Sequence, residues 1–341
     1  MIFAQSGRKK QNPDQTTSTP RQPVVYSTTQ PSGSPTPSPT PKPSVTPEKQ
    51  KPLDEDDVIR IDSTLVPIPV SVTDAKGNAV TNLKLEDFEL MVDGEKQVID
   101  ELSRSETPVR LALLFDNSSS LTKARDFEIE AAVRFIKRVI RPDKDQATLY
   151  SISTVTTQIL PLTKDPRQIT RAIEIFPPPG GATALLDGII KASNYLKDVA
   201  DRRVIVIVSD GVDTISDSSL EETVTAAQIA NCQIYVVKTT DFENFQRTGV
   251  RGGNANLRDL QAERRMIEIT TQTGGAVYSP LDEKELDAAF TQISAELSQQ
   301  YILSYYPENQ RQNEFHTINL RIPSRPNLTI RTRKGYYIPK S

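Results

Sequence analysis

The chain has 341 residues and a formal net charge of −3. That length suits two or three domains, and the charge is too near neutral to argue for a nucleic acid or an anionic membrane surface. One cysteine, Cys232, excludes an intrachain disulfide, and with a single histidine, His316, any His-based triad or zinc site would have to use that residue.

Residues 1–57 read as a disordered tether. Residues 1–53 hold 11 of the 25 prolines and 15 Ser or Thr, and Pro31–Pro47 (PSGSPTPSPTPKPSVTP) is an extended, partly polyproline II stretch. Met1–Gln5 (MIFAQ) looks like the tail of a signal peptide, without the usual charged and apolar regions. The tether composition favours an exported protein (secreted, periplasmic or cell-surface) over a cytosolic protein with a disordered tail. Asp54–Asp57 is a short acidic linker. No apolar run reaches 18 residues, so no transmembrane helix is encoded.

Strand signals begin at Val58. Leu65–Thr73 alternates apolar and polar residues, and Pro67 and Pro69 push it toward a sheet edge. A turn at Asp74–Asn78 follows. Asp87–Val98 reads as a hairpin with Asp93-Gly94 at its tip, a favoured type I′ sequence. Residues 58–106 are thus half of a β domain, too small to bury a core alone.

From residue 107 to 299 strands and helices alternate, which implies a parallel sheet. Val109–Phe115 is apolar except for Arg110, as in a strand buried on both faces, and Asp116, Ser118 and Ser120 follow it. Asp126–Ile140 is an amphipathic helix stopped by Pro142, and Ala147–Ile159 is a strand region. Asp165–Phe176 is a short helix closed by three prolines. Gly180-Gly181-Ala182-Thr183 leads into a helix over Thr183–Val199. Arg203–Ser209 (RVIVIVS) is a second buried strand, ending in Asp210-Gly211. Leu220–Ala230 is helical and Gln233–Lys238 is a third buried strand, with Cys232 packed rather than reactive. Asp241–Asn256 reads as a rim loop. Helices over Asn256–Thr273 and Asp282–Gln299 flank Ala276–Ser279. In residues 300–341, Gln300–Tyr306, Phe315–Ile322 and Leu328–Ile338 are strand-like and are expected to complete the β domain.

Asp116, Ser118, Ser120, Thr183 and Asp210 all offer oxygen and neither nitrogen nor sulfur. Such a set suits a hard cation such as Mg²⁺, and loops at the carboxyl ends of strands are where open α/β sheets bind ligands. The Asp-x-Ser-x-Ser run, the Thr183 loop and the Asp210-Gly211 turn together resemble the von Willebrand factor type A domain and its metal-ion-dependent adhesion site. The order of β-module, α/β core, YILSYYP segment and closing KGYYIP is similar to a bacterial "VWFA-related" family of exported proteins. The resemblance implies a doubly wound, mostly parallel α/β sheet inserted in a small β-sandwich-like domain. It also implies that Ser118, Ser120 and Thr183 contact the ion directly or nearly so, while Asp116 and Asp210 hold it largely through waters.

The expected ion is Mg²⁺, with Mn²⁺ or Ca²⁺ as alternatives. Three neutral hydroxyls leave it enough charge to attract a carboxylate from a protein partner, which is adhesion-type binding and not catalysis. Arg247 and Arg251, on the rim loop, are candidates to grip that partner. Two alternatives remain: a metal-dependent enzyme, in which the cation activates water or a substrate, and a scaffold whose site stays empty. Against catalysis, no Gly-x-Ser-x-Gly, His-Glu-x-x-His, Gly-x-Gly-x-x-Gly or Walker motif occurs, and Asp213 and Asp217 have no special context. A Ser-x-x-Lys match at Ser120–Lys123 lacks its Lys-Thr-Gly companion and reads as chance.

Overall fold

The computed structural model describes residues 65–75, 77–104, 107–117, 125–176, 178–250, 256–307 and 314–338, with the side chain of Arg247 left aside. The tether, the signal-like Met1–Gln5, Asp54–Asp57, Ser118, Ser120, Lys123 and Arg251 lie outside the described residues.

Four short strands come first: β1 (Val66–Thr73), β2 (Glu89–Val92), β3 (Glu95–Gln97) and β4 (Glu101–Arg104). The alternating part follows as β5 (Val109–Asp116), α1 (Arg125–Val139), β6 (Gln146–Ile152), β7 (Thr157–Thr163), α2 (Pro166–Glu174), α3 (Leu185–Leu196), β8 (Arg202–Ser209), α4 (Leu220–Ile229), β9 (Cys232–Lys238), α5 (Thr240–Thr248), α6 (Leu257–Thr273), β10 (Val277–Tyr278) and α7 (Glu283–Gln299). Four more strands end the described chain: β11 (Tyr301–Tyr305), β12 (Phe315–Arg321), β13 (Thr329–Arg331) and β14 (Gly335–Tyr337).

The large sheet has the order β10-β9-β8-β5-β6-β7, parallel throughout except for β7, which runs antiparallel to β6. Its strands are buried on both faces because alternate side chains feed two cores. Leu111, Leu113 and Phe115 of β5 join α1, α2 and α7; Ala112 and Leu114 join α3, α4 and α6. This is a doubly wound α/β architecture with additional sheets.

Those additional sheets have the orders β13-β1-β11-β4 and β14-β12-β2-β3. Each combines strands from both ends of the chain. They share one apolar core that includes Ile68, Val70, Leu90, Tyr301, Leu303 and Tyr336. The β2–β3 turn has φ of 52° at Asp93 and 85° at Gly94, the double positive φ of a type I′ turn.

Three local expectations need correction. β1 is not an edge strand: it lies between β13 and β11. Yet β11 pairs with Val66–Val70 and β13 only with Ser71–Thr73, so beside both prolines one side has no strand. There the Pro67 carbonyl accepts from Arg333 Nη2 (2.8 Å) and the Pro69 carbonyl from the Thr332 hydroxyl (3.0 Å). Second, Ala147–Ile159 is not one strand; residues 153–156 turn the chain and β7 folds back on β6. Third, Asp241–Asn256 is not simply a loop, because its first half is α5, anchored by the fully buried Phe242.

Candidate metal centre

β5 and β8 are parallel neighbours in register, Phe115 beside Val208, so their carboxyl ends release Asp116 and Asp210 on the same side of the sheet. Asp116 is fully buried, and its Oδ2 accepts a 2.6 Å hydrogen bond from the Ser209 hydroxyl. Ser209 Oγ in turn accepts from the Gly211 N–H (2.9 Å), so one serine orients the first carboxylate and the turn carrying the second. Asp210 Oδ1 accepts from the Val212 N–H (2.9 Å), and its carbonyl accepts from the Thr240 hydroxyl (3.1 Å).

The Thr183 loop is tied down by three neighbours. Gly180 N–H donates to the Asn117 carbonyl (2.8 Å), Ala182 N–H to Thr154 Oγ1 (3.1 Å) and Thr183 N–H to Thr214 Oγ1 (2.8 Å). The Thr183 carbonyl accepts from Thr214 N–H (2.9 Å). Gly181 has φ +84°, and a Cβ there would lie 2.4 Å from Thr154 Oγ1; only glycine allows that approach. Sequence thus dictates the loop, and the loop delivers the nearly buried Thr183 to the end of the sheet that carries Asp116 and Asp210.

Of the five predicted ligands, Asp116, Thr183 and Asp210 come to one end of the sheet. Arg247 lies on α5 near the same end. Among the described residues, no group of three or more His, Cys, Asp or Glu is placed to hold a metal, so an ion here depends on hydroxyls alongside the two aspartates. The donors present, two carboxylates and a hydroxyl, fit a hard divalent cation.

Sequence reasoning missed several neighbours. Arg125, at the start of α1, is nearly buried, with its guanidinium 5.7 Å from the Phe115 ring centre and 5.4 Å from that of Phe176. Burial lowers its pKa, against the pull of Glu128, Asp116 and Asp126. Glu128, one turn on, has no exposed surface, and neither carboxyl oxygen has a hydrogen-bond partner. Burial raises its pKa well above the ordinary value, as do the charges of Glu243, Asp116 and Asp210, with Arg125 opposing them. Glu243 Oε1 accepts a 2.5 Å bond from the buried Thr239 hydroxyl. The signal for Glu128 was present: Arg125, Glu128, Ala132 and Phe135 lie on one helical stripe. Asp213 does have a specific context, since it accepts from Leu186 N–H (3.2 Å) and Ser216 N–H (3.1 Å) and so holds the start of α3.

Residues 111–212 match the family model of the von Willebrand factor type A (VWA) domain. The chain contains a VWA domain. The matched segment includes Asp116, Thr183 and Asp210. An uncharacterized protein of Borreliella burgdorferi is 24% identical over 196 residues, covering 54% of this chain and 57% of that protein. The chain therefore spans less than two thirds of that relative's length. Similar solved structures include the von Willebrand domain of the type V pili tip protein Mfa5 from Porphyromonas gingivalis (13% identity, 55% of this chain, 94% of that one, TM-score 0.43). BatB from Bacteroides thetaiotaomicron is 15% identical over 55% of this chain and 98% of that one, with TM-score 0.42.

Proposed function

We propose that this chain is an adhesion-type protein-binding module whose VWA domain holds a divalent cation, Mg²⁺ foremost, through Asp116, Ser118, Ser120, Thr183 and Asp210. When bound, the cation supplies a positive centre with a coordination position for a carboxylate of a protein partner. The observation that carries this reading is the hydrogen-bond lattice that delivers Asp116, Thr183 and Asp210 to one end of β5 and β8. Ser209 fixes Asp116, and Thr214 and Thr154 fix the Thr183 loop. The neutral hydroxyls leave the ion's charge available to an outside acid. Val155 and Ile215, 68% and 42% exposed, lie in the loops that hydrogen-bond the Thr183 loop from either side, giving a partner apolar surface beside the ion. Arg247 and Arg251 are further contacts on this reading.

Binding is favoured over catalysis. Asp213, an acid near the site, is committed to two backbone N–H groups, and Glu128 has no access to solvent. Export rests on the Pro/Ser/Thr tether and the signal-like Met1–Gln5. No helix among the described residues is long and apolar enough to cross a membrane.

The test uses acetate as the carboxylate and Mn²⁺ as the ion. Protein-bound Mn²⁺ should broaden the acetate methyl proton resonance beyond what free Mn²⁺ produces, and Asp116→Ala should abolish the excess. Equal broadening with wild type and Asp116→Ala would overturn carboxylate binding at this ion.

A further inference from the structure

Helices α4 and α6 leave a groove where they meet β12 and β14. On α4, Leu220, Val224 and Gln228 recur every fourth residue and line one wall. Leu220 and Val224 sit on the outer edge of the core under that face of the large sheet. The facing wall is aromatic: Phe315 and Tyr337 are opposite each other in the β12–β14 register, with ring centres 5.1 Å apart and planes tilted by 53°. Phe315 is 36% exposed, although an aromatic ring gains by burial.

The groove encloses about 430 Å³, within the range of roughly 300–1,000 Å³ found for ligand sites. From Leu220 to Gln228 it runs about 12 Å along the helix, the length of about four residues of extended peptide. Its charged lining residues, among those described, are two acids and no base, one acid on each helix. Glu221 is exposed in the first turn of α4. Glu268 is exposed on α6, and its Oε1 accepts from Gln272 Nε2 (2.8 Å). Carboxylates beside an aromatic pair suit a guanidinium, whose flat face stacks on a ring while its N–H groups fork to a carboxylate.

We propose that this groove docks an arginine-bearing extended segment of a protein partner, with apolar side chains against Leu220, Val224 and Phe315 and guanidinium groups toward Glu221 and Glu268. The groove uses none of the five residues of the proposed function, so the two stand or fall separately.

The experiment follows the fluorescence anisotropy of a labelled peptide of alternating leucine and arginine on the full chain in EDTA, which keeps the five-residue site free of metal. A peptide with glutamate in place of arginine is the control. Wild type and Asp116→Ala should bind the arginine peptide equally and the control not at all. The double variant Glu221→Lys, Glu268→Lys should bind it about tenfold or more weakly, because like charges then meet. Circular dichroism checks that the double variant is folded, and Glu221→Gln with Glu268→Gln serves if it is not. No binding by wild type, equal binding by wild type and the charge-altered variant, or equal binding of both peptides overturns this inference and leaves the proposed function standing. A dimer in sedimentation that Phe315→Ala dissociates assigns the groove to a second copy of the chain and overturns it as well.

Discussion

The two ends of the six-stranded sheet treat charge in opposite ways. At the amino end, buried charge is matched within the fold. The Asp145 carboxylate accepts from Val109 N–H (2.8 Å) and from Arg141 N–H, Nε and Nη2 (2.9, 2.8 and 2.9 Å). Arg110 pairs with Asp201 at 2.5 Å, and Arg202 donates to the Leu297 carbonyl (2.8 Å) and to Gln300. At the carboxyl end, Glu128 is fully buried with no hydrogen bond to either carboxyl oxygen, the charges of Glu243, Asp116 and Asp210 bear on it with Arg125 opposing them, and Lys238 pairs with Glu263 (3.2 Å). Folding alone would favour giving the Glu128 carboxyl a hydrogen-bond partner as well. That acid lies toward the end where an open α/β sheet presents its ligand-binding loops.

The comparison breaks most visibly at Asp145. Asp145→Ala strands the buried Val109 N–H and removes the acceptor of Arg141, so it should cost about 3 kcal/mol in chemical denaturation. Burial works against ionisation of Asp145, but the Arg141 and backbone hydrogen bonds outweigh it and hold the carboxyl below its ordinary 3.8. Its stabilisation is therefore present above that value and is lost as pH falls through the folded pKa. An acid titration of the wild type should show that loss, and the alanine variant should lack it. The next effect has the opposite sign. In chelator, Glu128→Met should stabilise by roughly 1–3 kcal/mol, because an unpartnered acid is exchanged for an apolar chain of similar size. The folded pKa of Glu128 is raised above 4.5, so the cation-free wild type should lose stability as pH rises from that value. The methionine variant should lose less, and an unchanged melting profile would contradict a cost of burying Glu128 without a hydrogen bond.

Much of this contrast was legible in the sequence. VRLALLFD and RVIVIVS gave two central strands because both faces of a parallel sheet are apolar, and Asp93-Gly94 gave a hairpin because few sequences accept two positive φ values. The ligand loops were legible because oxygen side chains directly follow those strands. Glu128 was not, since a charged residue in an amphipathic helix is assigned by default to the solvent face; at the start of α1, however, the inward stripe faces the ligand end of the sheet and not the apolar middle. α5 was missed because its mixed charge hides the single residue, Phe242, that anchors it. The β6–β7 turn was missed because residues 153–156 continue a β-like composition.

Two smaller effects sharpen the comparison. Gly181→Ala should cost about 1–2 kcal/mol through its positive φ and its clash with Thr154, and it should weaken Mg²⁺ binding by calorimetry more than it lowers the melting temperature. Asp93→Asn should cost under about 1 kcal/mol, because this carboxylate is half exposed although it accepts from His316 (2.7 Å) and Thr317 N–H (2.8 Å). It lies in the small sheets, so Mg²⁺ affinity should not change.

The most direct test of the central claim is thermal unfolding with and without Mg²⁺, in wild type and in Asp116→Ala. A cation that binds only the folded state at ~100 times its Kd adds roughly 2.7 kcal/mol. The wild type should melt higher in Mg²⁺, and the variant should show no shift. Equal curves for wild type with and without Mg²⁺ would contradict a working cation site at Asp116 and leave the domain as a scaffold.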